Sequence, residues 1–375
     1  MTGPTRQSIA LAAGGTGGHL FSAIALADAL MRRGHRVSVL TDSRGARFQS
    51  GIQVRAVPAT RLSGSVFAKA WGTVRLAAGV LAAAWHLRRD RAGLLIGFGG
   101  YPSVPPVLAA RLLGVPVVLV EQNAVLGRAN RRLAGMARAV ATAFPEVGKA
   151  GPAARHFTGI PVRPEVVAAR GVAYQSSDDA APFRMLIFGG SQGAHVFADV
   201  LPAACRLLPA NLRRRLHVMQ QARPEDEAAV RAAYADIGID AEIAPFFDDL
   251  PARMAASHLV IARAGASTIA EVLTIGRPAV LVPYPHAMDD HQTENARAVD
   301  AAGAAWMIPQ AAFTAEALAG RLETLLTLPG CAAKRAETAH SLGRPDAAER
   351  LADLAESLLV PAKDAPGAAL RSLTS

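Results

Sequence analysis

Cysteine and aromatic residues are scarce in this sequence. Only Cys205 and Cys331 are present, with no CxxC motif and no pairing of Cys with His, so neither a disulfide framework nor a zinc site is supported. This cysteine usage indicates a reducing compartment. Phe, Trp and Tyr make up 5% of the residues while hydrophobic residues reach 51%, which predicts cores built mainly from Ala, Val and Leu.

An export signal and a long uninterrupted hydrophobic run are also missing. Residues 1–7 are followed at once by a predicted strand and a glycine loop, which leaves no room for the three regions of a signal peptide. The most apolar long segment, residues 66–87, carries Lys69, Arg75 and His86, and the runs between these residues are shorter than the roughly 20 residues that span a bilayer. We therefore expect neither export nor a transmembrane helix.

Acidic residues are outnumbered by basic ones. Lys and Arg total 40 against 30 Asp and Glu, which gives a formal net charge of +10. This balance favours partners with negative charge, such as nucleic acid, nucleotides or anionic lipid, without choosing among them. No nucleic-acid recognition module and no basic aromatic platform is visible, so nucleic acid is not an expected partner.

What the sequence does contain is an alternation of short β-branched or Leu-rich runs with longer Ala-rich helical stretches. This rhythm predicts βαβ units and a parallel sheet covered by helices, and 375 residues suit two domains. A second strand running into a glycine loop begins at residue 183, which indicates two nucleotide-binding lobes in series. The predicted strands are residues 36–40, 94–96, 115–120, 184–188, 258–262 and 279–283. Residues 347–359 have helical spacing, and residues 360–375 lack periodicity and are expected to form a flexible tail.

Three glycine clusters each follow a predicted strand: residues 14–19 (GGTGGH), 97–101 (GFGGY) and 189–194 (GGSQGA). Glycine at such places lets backbone N–H groups approach a phosphate at a helix N-terminus. Tight turns are the alternative interpretation, but three clusters in one chain favour phosphate or diphosphate recognition. Asp42 closes the next strand, as in a dinucleotide fingerprint, yet Leu20 stands where that motif requires its third glycine, and no P-loop Lys-Ser or Lys-Thr follows any cluster.

The second half contains two further candidate segments. Residues 263–271 (RAGASTIAE) follow a strand and are expected to form a loop whose helix carries Glu271 near its N-terminus, where the carboxylate would bind ribose hydroxyls; a favourable first-turn acid is the alternative. Residues 283–295 are expected to form a polar, proline-bounded loop that leads into a helix and presents Asp290 and Gln292 to a sugar. For Asp289 and Asp290, helix capping is the alternative role.

The sequence has no Asp-x-Asp pair, the usual clamp for a metal on a sugar-nucleotide diphosphate. We therefore expect neither a metal nor another cofactor. Negative charge on a leaving group would then be stabilised by backbone N–H groups and cations. Ser191 with its loop, and Arg163 in the motif GIPVR, are suited to that role.

Together, these motifs resemble those of the MurG transferases, which join UDP-N-acetylglucosamine to undecaprenyl-diphosphate-linked muramyl pentapeptide. The resemblance covers nearly the whole chain, and the order and spacing of the motifs are specific. They are GGTGGH at 14–19, FGGYPS at 98–103, EQN at 121–123, PVR at 161–163, GGSQGA at 189–194, RAGASTIAE at 263–271 and DHQTENA at 290–296. One departure is Ile160, where the family usually has Asn, and it puts the hydrogen bonds of that amide in doubt.

The resemblance implies an α/β protein with a GT-B fold, in which two Rossmann-like lobes face a cleft. The acceptor lobe, which also faces the membrane, would span residues 1–162 and be completed by the C-terminal helix at about 343–359, and the UDP-sugar lobe would span 163–342. Phe247 would lie by the uracil, Glu271 would bind the ribose, and His291 is a less certain sugar contact than Gln292. The implied substrate-binding residues are Thr16, Gly17, Gly18, Asn123, Arg163, Ser191, Gln192, Phe247, Ala266, Ser267, Thr268, Ile269, Ala270, Glu271 and Gln292.

The implied reaction is an inverting transfer of N-acetylglucosamine to the 4-hydroxyl of undecaprenyl-diphospho-N-acetylmuramoyl-pentapeptide, which converts lipid I to lipid II in peptidoglycan synthesis. A general base should accept the hydroxyl proton. His19 is the catalytic candidate, because it ends the first glycine loop, facing the predicted cleft, and an unperturbed imidazole titrates near neutral pH. Binding of the acceptor diphosphate, or stabilisation of its own loop, is the alternative role for His19.

An apolar stripe with flanking cations runs along residues 66–91. The stripe consists of Phe67, Trp71, Val74, Ala78, Leu81 and Trp85, and the bordering cations are Lys69, Arg75, Arg88, Arg89 and Arg91. Such a face suits the headgroup region of an anionic leaflet, where each cation adds about 1 kcal/mol. A core-facing helix is the more common meaning of such a stripe, but a lipid substrate favours the membrane. We expect peripheral attachment to anionic lipids at the cytoplasmic face of the inner membrane, with other cell-wall synthesis proteins as further partners.

Two rival functions remain open. A related GT-B transferase could act on another lipid such as diacylglycerol, although GGTGGH and EQN lie in the lobe that selects the acceptor. A non-catalytic sugar-nucleotide-binding scaffold is the second rival. The presence of His19 with the donor residues argues against a scaffold, but binding residues do not establish turnover.

Overall fold

The computed structural model describes residues 6–14, 17–43, 45, 51–59, 66–147, 153–177, 181–190 and 193–359, with the backbone alone at 17 and 66–70. These residues form two compact units. The first unit runs to Arg163 and takes up the chain again at Asp346, and the second spans Pro164–Pro345. Within the described ranges, no helix has the length and apolar character needed to cross a bilayer.

The described part of the first unit is built on a seven-stranded parallel sheet. Its strands lie in the order β3-β2-β1-β4-β5-β6-β7, so the order reverses between β1 and β4, where the carboxyl ends of a doubly wound sheet form a ligand-binding crevice. The strands are β1 (Ser8–Ala12), β2 (Arg36–Thr41), β3 (Gln53–Ala56), β4 (Leu94–Gly97), β5 (Val117–Glu121), β6 (Ala139–Thr142) and β7 (Ala154–Phe157). The helices between them are α1 (Gly17–Arg32), α2 (Val66–Arg89), α3 (Val104–Leu112) and α4 (Arg128–Leu133).

The second unit contains a six-stranded parallel sheet in the order β10-β9-β8-β11-β12-β13. The strands are β8 (Phe183–Phe188), β9 (Leu216–Gln221), β10 (Asp240–Ala244), β11 (Leu259–Ala262), β12 (Ala279–Leu281) and β13 (Trp306–Met307). Its helices are α5 (Pro164–Ala169), α6 (His195–Leu207), α7 (Ala210–Arg213), α8 (Glu227–Asp236), α9 (Leu250–Ala256), α10 (Ala266–Ile275), α11 (His291–Ala301), α12 (Ala315–Thr327) and α13 (Pro329–Leu342).

All six strands named from the sequence are present, and three of them are shorter than predicted. Strand β11 begins one residue late, at Leu259. Strand β5 begins at Val117, after Pro116, and β12 ends at Leu281, before Pro283. Proline carries no N–H for the ladder, which explains why regular pairing stops near both residues. Another prediction is wrong at residues 266–271. These residues belong to α10 and not to a loop, because the helix begins directly after Gly265.

The last described helix, α14 (Ala347–Leu358), packs on the first unit. Leu351, Ala352 and Ala355 are buried in the same apolar cluster as Leu26 and Leu30 of α1. A network of ion pairs surrounds this contact: Arg33 lies 2.6 Å from Glu349, 2.7 Å from Asp353 and 2.9 Å from Glu356. Because these carboxylates are largely exposed, we attribute the docking of α14 mainly to the buried apolar side chains. The predicted tail, residues 360–375, lies outside the described residues.

Candidate functional site

His19 lies in the first turn of α1, and its ring is fixed from one side. The Nδ1 atom is 2.6 Å from the carbonyl oxygen of Phe98, at the end of β4. Because a carbonyl oxygen only accepts hydrogen bonds, Nδ1 must carry the proton and donate it. In the neutral ring the lone pair is therefore on Nε2, which is the tautomer that a general base acting through Nε2 requires.

Two glycines lie beside the His19 ring. Gly99 and Gly100 have φ angles of +83° and +71°, a region that favours glycine. A Cβ on Gly99 would lie 3.6 Å from Cε1 of His19, and 3.3 Å from Nδ2 of Asn130. The hydroxyl of Ser103 donates to the Gly99 carbonyl at 2.7 Å and closes the turn. The sequence groups this glycine cluster with the phosphate loops, and in the structure Gly99 and Gly100 also border the imidazole of His19.

A buried carboxylate organises the end of β5. Glu121 is 2% exposed and accepts four hydrogen bonds. The donors are the backbone N–H of Asn123 at 3.0 Å, the Asn123 amide at 3.2 Å, the backbone N–H of Gly127 at 2.9 Å and the Asn130 amide at 2.8 Å. Asn123, a predicted substrate contact, is thus held by Glu121. The positioning roles of Glu121 and Asn130 were not predicted, although EQN was recognised as a motif.

Replacement of Glu121 by Ala is expected to destabilise the first unit by about 3 kcal/mol. The change leaves four donors without their acceptor in a buried site, and each unsatisfied buried group costs about 1–3 kcal/mol, partly recovered by entering water. Urea unfolding measures the loss. Glu146→Ala, an exposed acid in the same unit, is the matched control. Equal unfolding midpoints for the two variants would contradict this role of Glu121.

The remaining predicted residues of the first unit are only partly described. Thr16 lies outside the described residues, and Gly17 opens α1 with its backbone alone described. Gly18 follows it and accepts a hydrogen bond from the Ser22 hydroxyl at 3.1 Å. The guanidinium of Arg163 lies 5.3 Å from the ring centroid of Phe21, which places it against α1, the helix that carries His19.

In the second unit, a glycine loop connects β8 to the N-terminus of α6. A Cβ on Gly189 would overlap with the backbone of Gly193 and Ala194, and Gly190 and Gly193 have φ angles of +81° and +66°. The chain therefore folds back tightly before α6 begins. Ala194 caps α6 without a side-chain hydrogen bond, and the first turn holds no acid, so its backbone N–H groups suit an anion. Ser191 and Gln192 lie outside the described residues.

The loop between β11 and α10 is held from two sides. Arg263 donates to the carbonyl oxygens of Val282 at 3.1 Å and Pro283 at 3.2 Å, and to Oε1 of Gln310 at 2.7 Å. The amide of Asn295, on α11, donates to the Ala264 carbonyl at 3.2 Å. These bonds align the carboxyl ends of β11 and β12 beside the uncapped N-terminus of α10.

The residues of α10 that were predicted to bind substrate differ in the burial of their side chains. The side chains of Ala266 and Ile269 are buried, so that only their backbone is available to a ligand, whereas Ser267, Thr268 and Ala270 are half-buried. Glu271 is half-buried and is the sixth residue of α10. It therefore lies beyond the first turn, and the alternative role as a first-turn acid is wrong.

Phe247 is placed differently from a stacking residue. Its side chain is 7% exposed, and the guanidinium of Arg253 covers the ring at 4.4 Å from its centroid. Arg253 is in turn paired with Asp249 and Glu242, each at 2.5 Å. The backbone of Phe247 is therefore available to a nucleobase, whereas its ring presents no open face for stacking.

The loop before α11 holds Gln292 and His291 in defined positions. Oε1 of Gln292 accepts a hydrogen bond from the Tyr284 backbone at 3.0 Å, and Nδ1 of His291 donates to the Met288 carbonyl at 2.7 Å. Asp289 and Asp290 have φ angles of 54° and 52°, an unfavourable conformation for both residues. The Asp290 carboxylate accepts from the Thr293 hydroxyl at 2.6 Å and makes no side-chain cap to the backbone of α11.

Comparisons with known proteins agree with this two-unit architecture. Residues 9–142 match the glycosyltransferase family 28 N-terminal domain, and residues 184–351 match the glycosyltransferase family 28 C-terminal domain. A UDP-N-acetylglucosamine--N-acetylmuramyl-(pentapeptide) pyrophosphoryl-undecaprenol N-acetylglucosamine transferase from Rhodospirillum centenum is 51% identical, covering 92% of this chain and 93% of the relative. The chain belongs to the MurG family.

A solved MurG structure supports the same assignment. MurG from Acinetobacter baumannii, solved by crystallography, is 32% identical in sequence to this chain and superposes with a TM-score of 0.77. The match covers 94% of this chain and 99% of that protein. A MurG-family relative from Rhodospirillum rubrum, with the same printed name as the one above, is 49% identical over 92% of this chain and 90% of its own length. The two parallel-sheet units are the two lobes of a GT-B fold.

Two further residues near the loop before α6 were not singled out by the sequence patterns. Arg223 follows β9, and its Cγ lies 2.9 Å from where a Cβ of Gly193 would be. Its Nε is buried and makes no hydrogen bond to any described residue. His195, the first residue of α6, lies 2.9 Å from Asp226, and hydrogen bonding to Asp226, followed by the charge of Asp199, raises the pKa of His195. A basic residue directly after a strand is the only sequence signal for Arg223.

The apolar stripe of this MurG-family chain lies on the outside of α2. Trp71 is 64%, Val74 58%, Leu81 71% and Trp85 54% exposed, and the side chains of Arg75, Arg88 and Arg89 are exposed beside them. The opposite face of α2 carries the buried Ala83 and Leu87. The alternative of a core-facing stripe is therefore wrong for these residues. The side chains of Phe67 and Lys69 lie outside the described part of the chain.

Proposed function

We propose that this chain transfers N-acetylglucosamine from UDP-N-acetylglucosamine to the 4-hydroxyl of undecaprenyl-diphospho-N-acetylmuramoyl-pentapeptide, with inversion, and so converts lipid I to lipid II in peptidoglycan synthesis. The observation that carries this proposal is the identity of 46–51% to transferases of that name over 92–94% of the chain. The ordered His19 tautomer supports catalysis as well as binding.

In the proposed step, the muramyl 4-oxygen forms a bond to the anomeric carbon while the bond from that carbon to the diphosphate oxygen breaks. The hydroxyl proton passes to Nε2 of His19, and the bonding electron pair leaves with UDP. Nδ1 of His19 keeps its hydrogen bond to Phe98, which holds the ring and helps to stabilise the imidazolium that forms.

The charge that develops on UDP would be met by the second lobe. The backbone N–H groups at the N-termini of α6 and α10 would donate hydrogen bonds to the diphosphate, because no side chain caps either helix. Arg223 adds a cation beside Gly193. The other donor contacts that we propose are Thr16, Gly17, Gly18, Asn123, Arg163, Ser191, Gln192, Phe247 through its backbone, Ala266, Ser267, Thr268, Ile269, Ala270, Glu271 and Gln292.

Transfer of radiolabelled N-acetylglucosamine to a short-chain analogue of lipid I tests the function directly. We expect label in the lipid product, with one UDP released for each sugar transferred. Transfer to diacylglycerol instead would favour the rival lipid acceptor. Tight binding of the UDP-sugar without transfer to either lipid would favour the non-catalytic scaffold and overturn the proposal.

We also propose that the exposed face of α2 attaches the protein to anionic lipid at the cytoplasmic face of the inner membrane. A substrate anchored in the bilayer requires the enzyme to work at its surface. Trp71, Val74, Leu81 and Trp85 would enter the headgroup region, and Arg75, Arg88 and Arg89 would contact lipid phosphates.

The double variant Leu81→Asp with Trp85→Asp is expected to weaken binding to vesicles containing phosphatidylglycerol by at least about tenfold, since each large apolar side chain removed from water contributes roughly 1.5–3 kcal/mol. Cosedimentation measures this loss. Leu112→Asp, at a leucine of α3 that is 76% exposed, is the matched control. An equal loss in the control, or none in the double variant, would refute the assignment of this face.

A further inference from the structure

A cavity lies in the C-terminal lobe, away from the strand ends that form the candidate donor site. Its volume is about 460 Å³, and it lies among the end of α11, strand β13, α12 and α13. Trp306 is the first residue of β13, so the cavity meets the sheet at the amino end of a strand. The glycine loops and the N-termini of α6 and α10 follow the carboxyl ends of parallel strands. These ends lie on the side of the sheet opposite to the amino end of β13.

The cavity is lined by three cations and by apolar surface. Arg321, Lys334 and Arg335 contribute the charges, and Trp306 and Leu325 contribute buried apolar walls. The guanidinium groups of Arg335 and Arg321 lie 4.4 Å and 5.4 Å from the centroid of the Trp306 ring. These contacts hold two like charges next to one buried aromatic side chain.

The three cations at this cavity are partly or fully exposed and make no direct ion pair within the described part of the chain. Burial lowers the pKa of Arg335, the charge of Asp300 opposes this effect, and the charge of Arg321 makes a smaller contribution that lowers the pKa again. A bound anion would give these cations the direct partner that they lack among the described residues.

We propose that this cavity is a binding site for a small organic anion that has a phosphate or carboxylate head and an apolar body. The head would lie between the guanidinium groups of Arg321 and Arg335, because their planar donor pairs match the oxygens of either group. The body would pack on Ala302 and on the methyl groups of Thr324 and Thr338, which line the cavity and are at least partly exposed. A volume of about 460 Å³ is sufficient for such a molecule.

The thiol of Cys331 provides a local readout, because it is exposed and lines the cavity. The other cysteine, Cys205, is buried, and burial raises the pKa of its thiol to about 12, so alkylation of the folded protein at neutral pH reports Cys331 alone. Iodoacetamide labelling is followed by mass spectrometry at constant ionic strength. Phenyl phosphate, benzoate, inorganic phosphate and neutral benzyl alcohol are the probes.

We expect phenyl phosphate or benzoate to slow alkylation of Cys331 by at least about fivefold, inorganic phosphate to do so only at much higher concentration, and benzyl alcohol to have no effect. The comparison of phenyl phosphate with benzoate distinguishes a phosphate ligand from a carboxylate ligand. Trp306 fluorescence is an independent readout in a Trp71→Phe, Trp85→Phe background, since the sequence has three tryptophans. Bound anion should change it over the same concentration range.

Arg335→Gln and Arg321→Gln should each weaken the protection by about tenfold or more, because each removes one charged fork. Arg214→Gln, at an exposed arginine directly after α7 in the same lobe, is the matched control. Circular dichroism verifies the fold of each variant. Absence of protection by both organic anions in the wild type would overturn the proposal. Equal protection in wild type and both variants would overturn it as well, since binding would not use these guanidinium groups.

Discussion

His19→Ala is expected to lower kcat for transfer of N-acetylglucosamine by about 10²- to 10⁴-fold, the usual contribution of a positioned general base. The Michaelis constant for UDP-N-acetylglucosamine should change little, because the other proposed donor contacts remain. The imidazole is fixed by its Nδ1 bond to the Phe98 carbonyl, so the variant removes a proton acceptor that is already in the required tautomer. Steady-state kinetics with a short-chain lipid I analogue measure both constants.

A second substitution separates proton transfer from structural support. His19→Asn retains a side-chain N–H that can donate to the Phe98 carbonyl, but it has no basic nitrogen at the position of Nε2. It should therefore be nearly as slow as His19→Ala. His217→Ala, at a partly exposed histidine of β9, serves as the control and should keep its activity. Recovery of activity in His19→Asn would show that His19 only stabilises its loop.

The strands that were predicted best are those that a parallel sheet covers on both faces. Residues 94–96 (LLI) and 185–188 (MLIF) are buried, so each is a continuous apolar run with a glycine directly after it. Strands β6 and β9 were also missed, although they are mostly buried. The other strands that were not predicted are short, polar or exposed. Strand β7 reads ARHF and β10 reads DAEIA, while β13 has two residues, and in none of them does apolar periodicity identify a strand.

The motifs located the candidate site, but the contacts within it were not predictable from local sequence. His19 is held by a carbonyl 79 residues away, and Asn130 reaches back to Glu121 across a turn. The stacking of Arg253 on Phe247 likewise depends on how α9 packs, and it changes the expected role of the phenyl ring. Sequence spacing identifies which residues are chemically suitable. Only the fold decides which atoms of those residues remain available to a ligand.

Gly189→Ala is expected to raise the Michaelis constant for UDP-N-acetylglucosamine by about 100-fold, because displacement of a preorganised diphosphate site costs a few kcal/mol of binding. A Cβ at this position would overlap with the backbone of Gly193 and Ala194, neither of which can rotate away as a side chain could. The loop would have to open, and the N–H groups at the start of α6 would move with it. The fold should survive, since overpacking of this kind costs about 1–3 kcal/mol.

Gly320→Ala provides the matched control for that experiment. Gly320 is inside α12 of the same lobe, and a Cβ there meets no atom within 4 Å. Alanine should keep donor binding unchanged and raise stability by up to about 1 kcal/mol through its higher helix propensity. Isothermal titration with UDP-N-acetylglucosamine, together with urea unfolding, compares the variants. If Gly189→Ala bound the donor as tightly as Gly320→Ala, the tight turn before α6 would not be needed for diphosphate recognition. The N-terminus of α10 and Arg223 would then have to stabilise the charge on the leaving group.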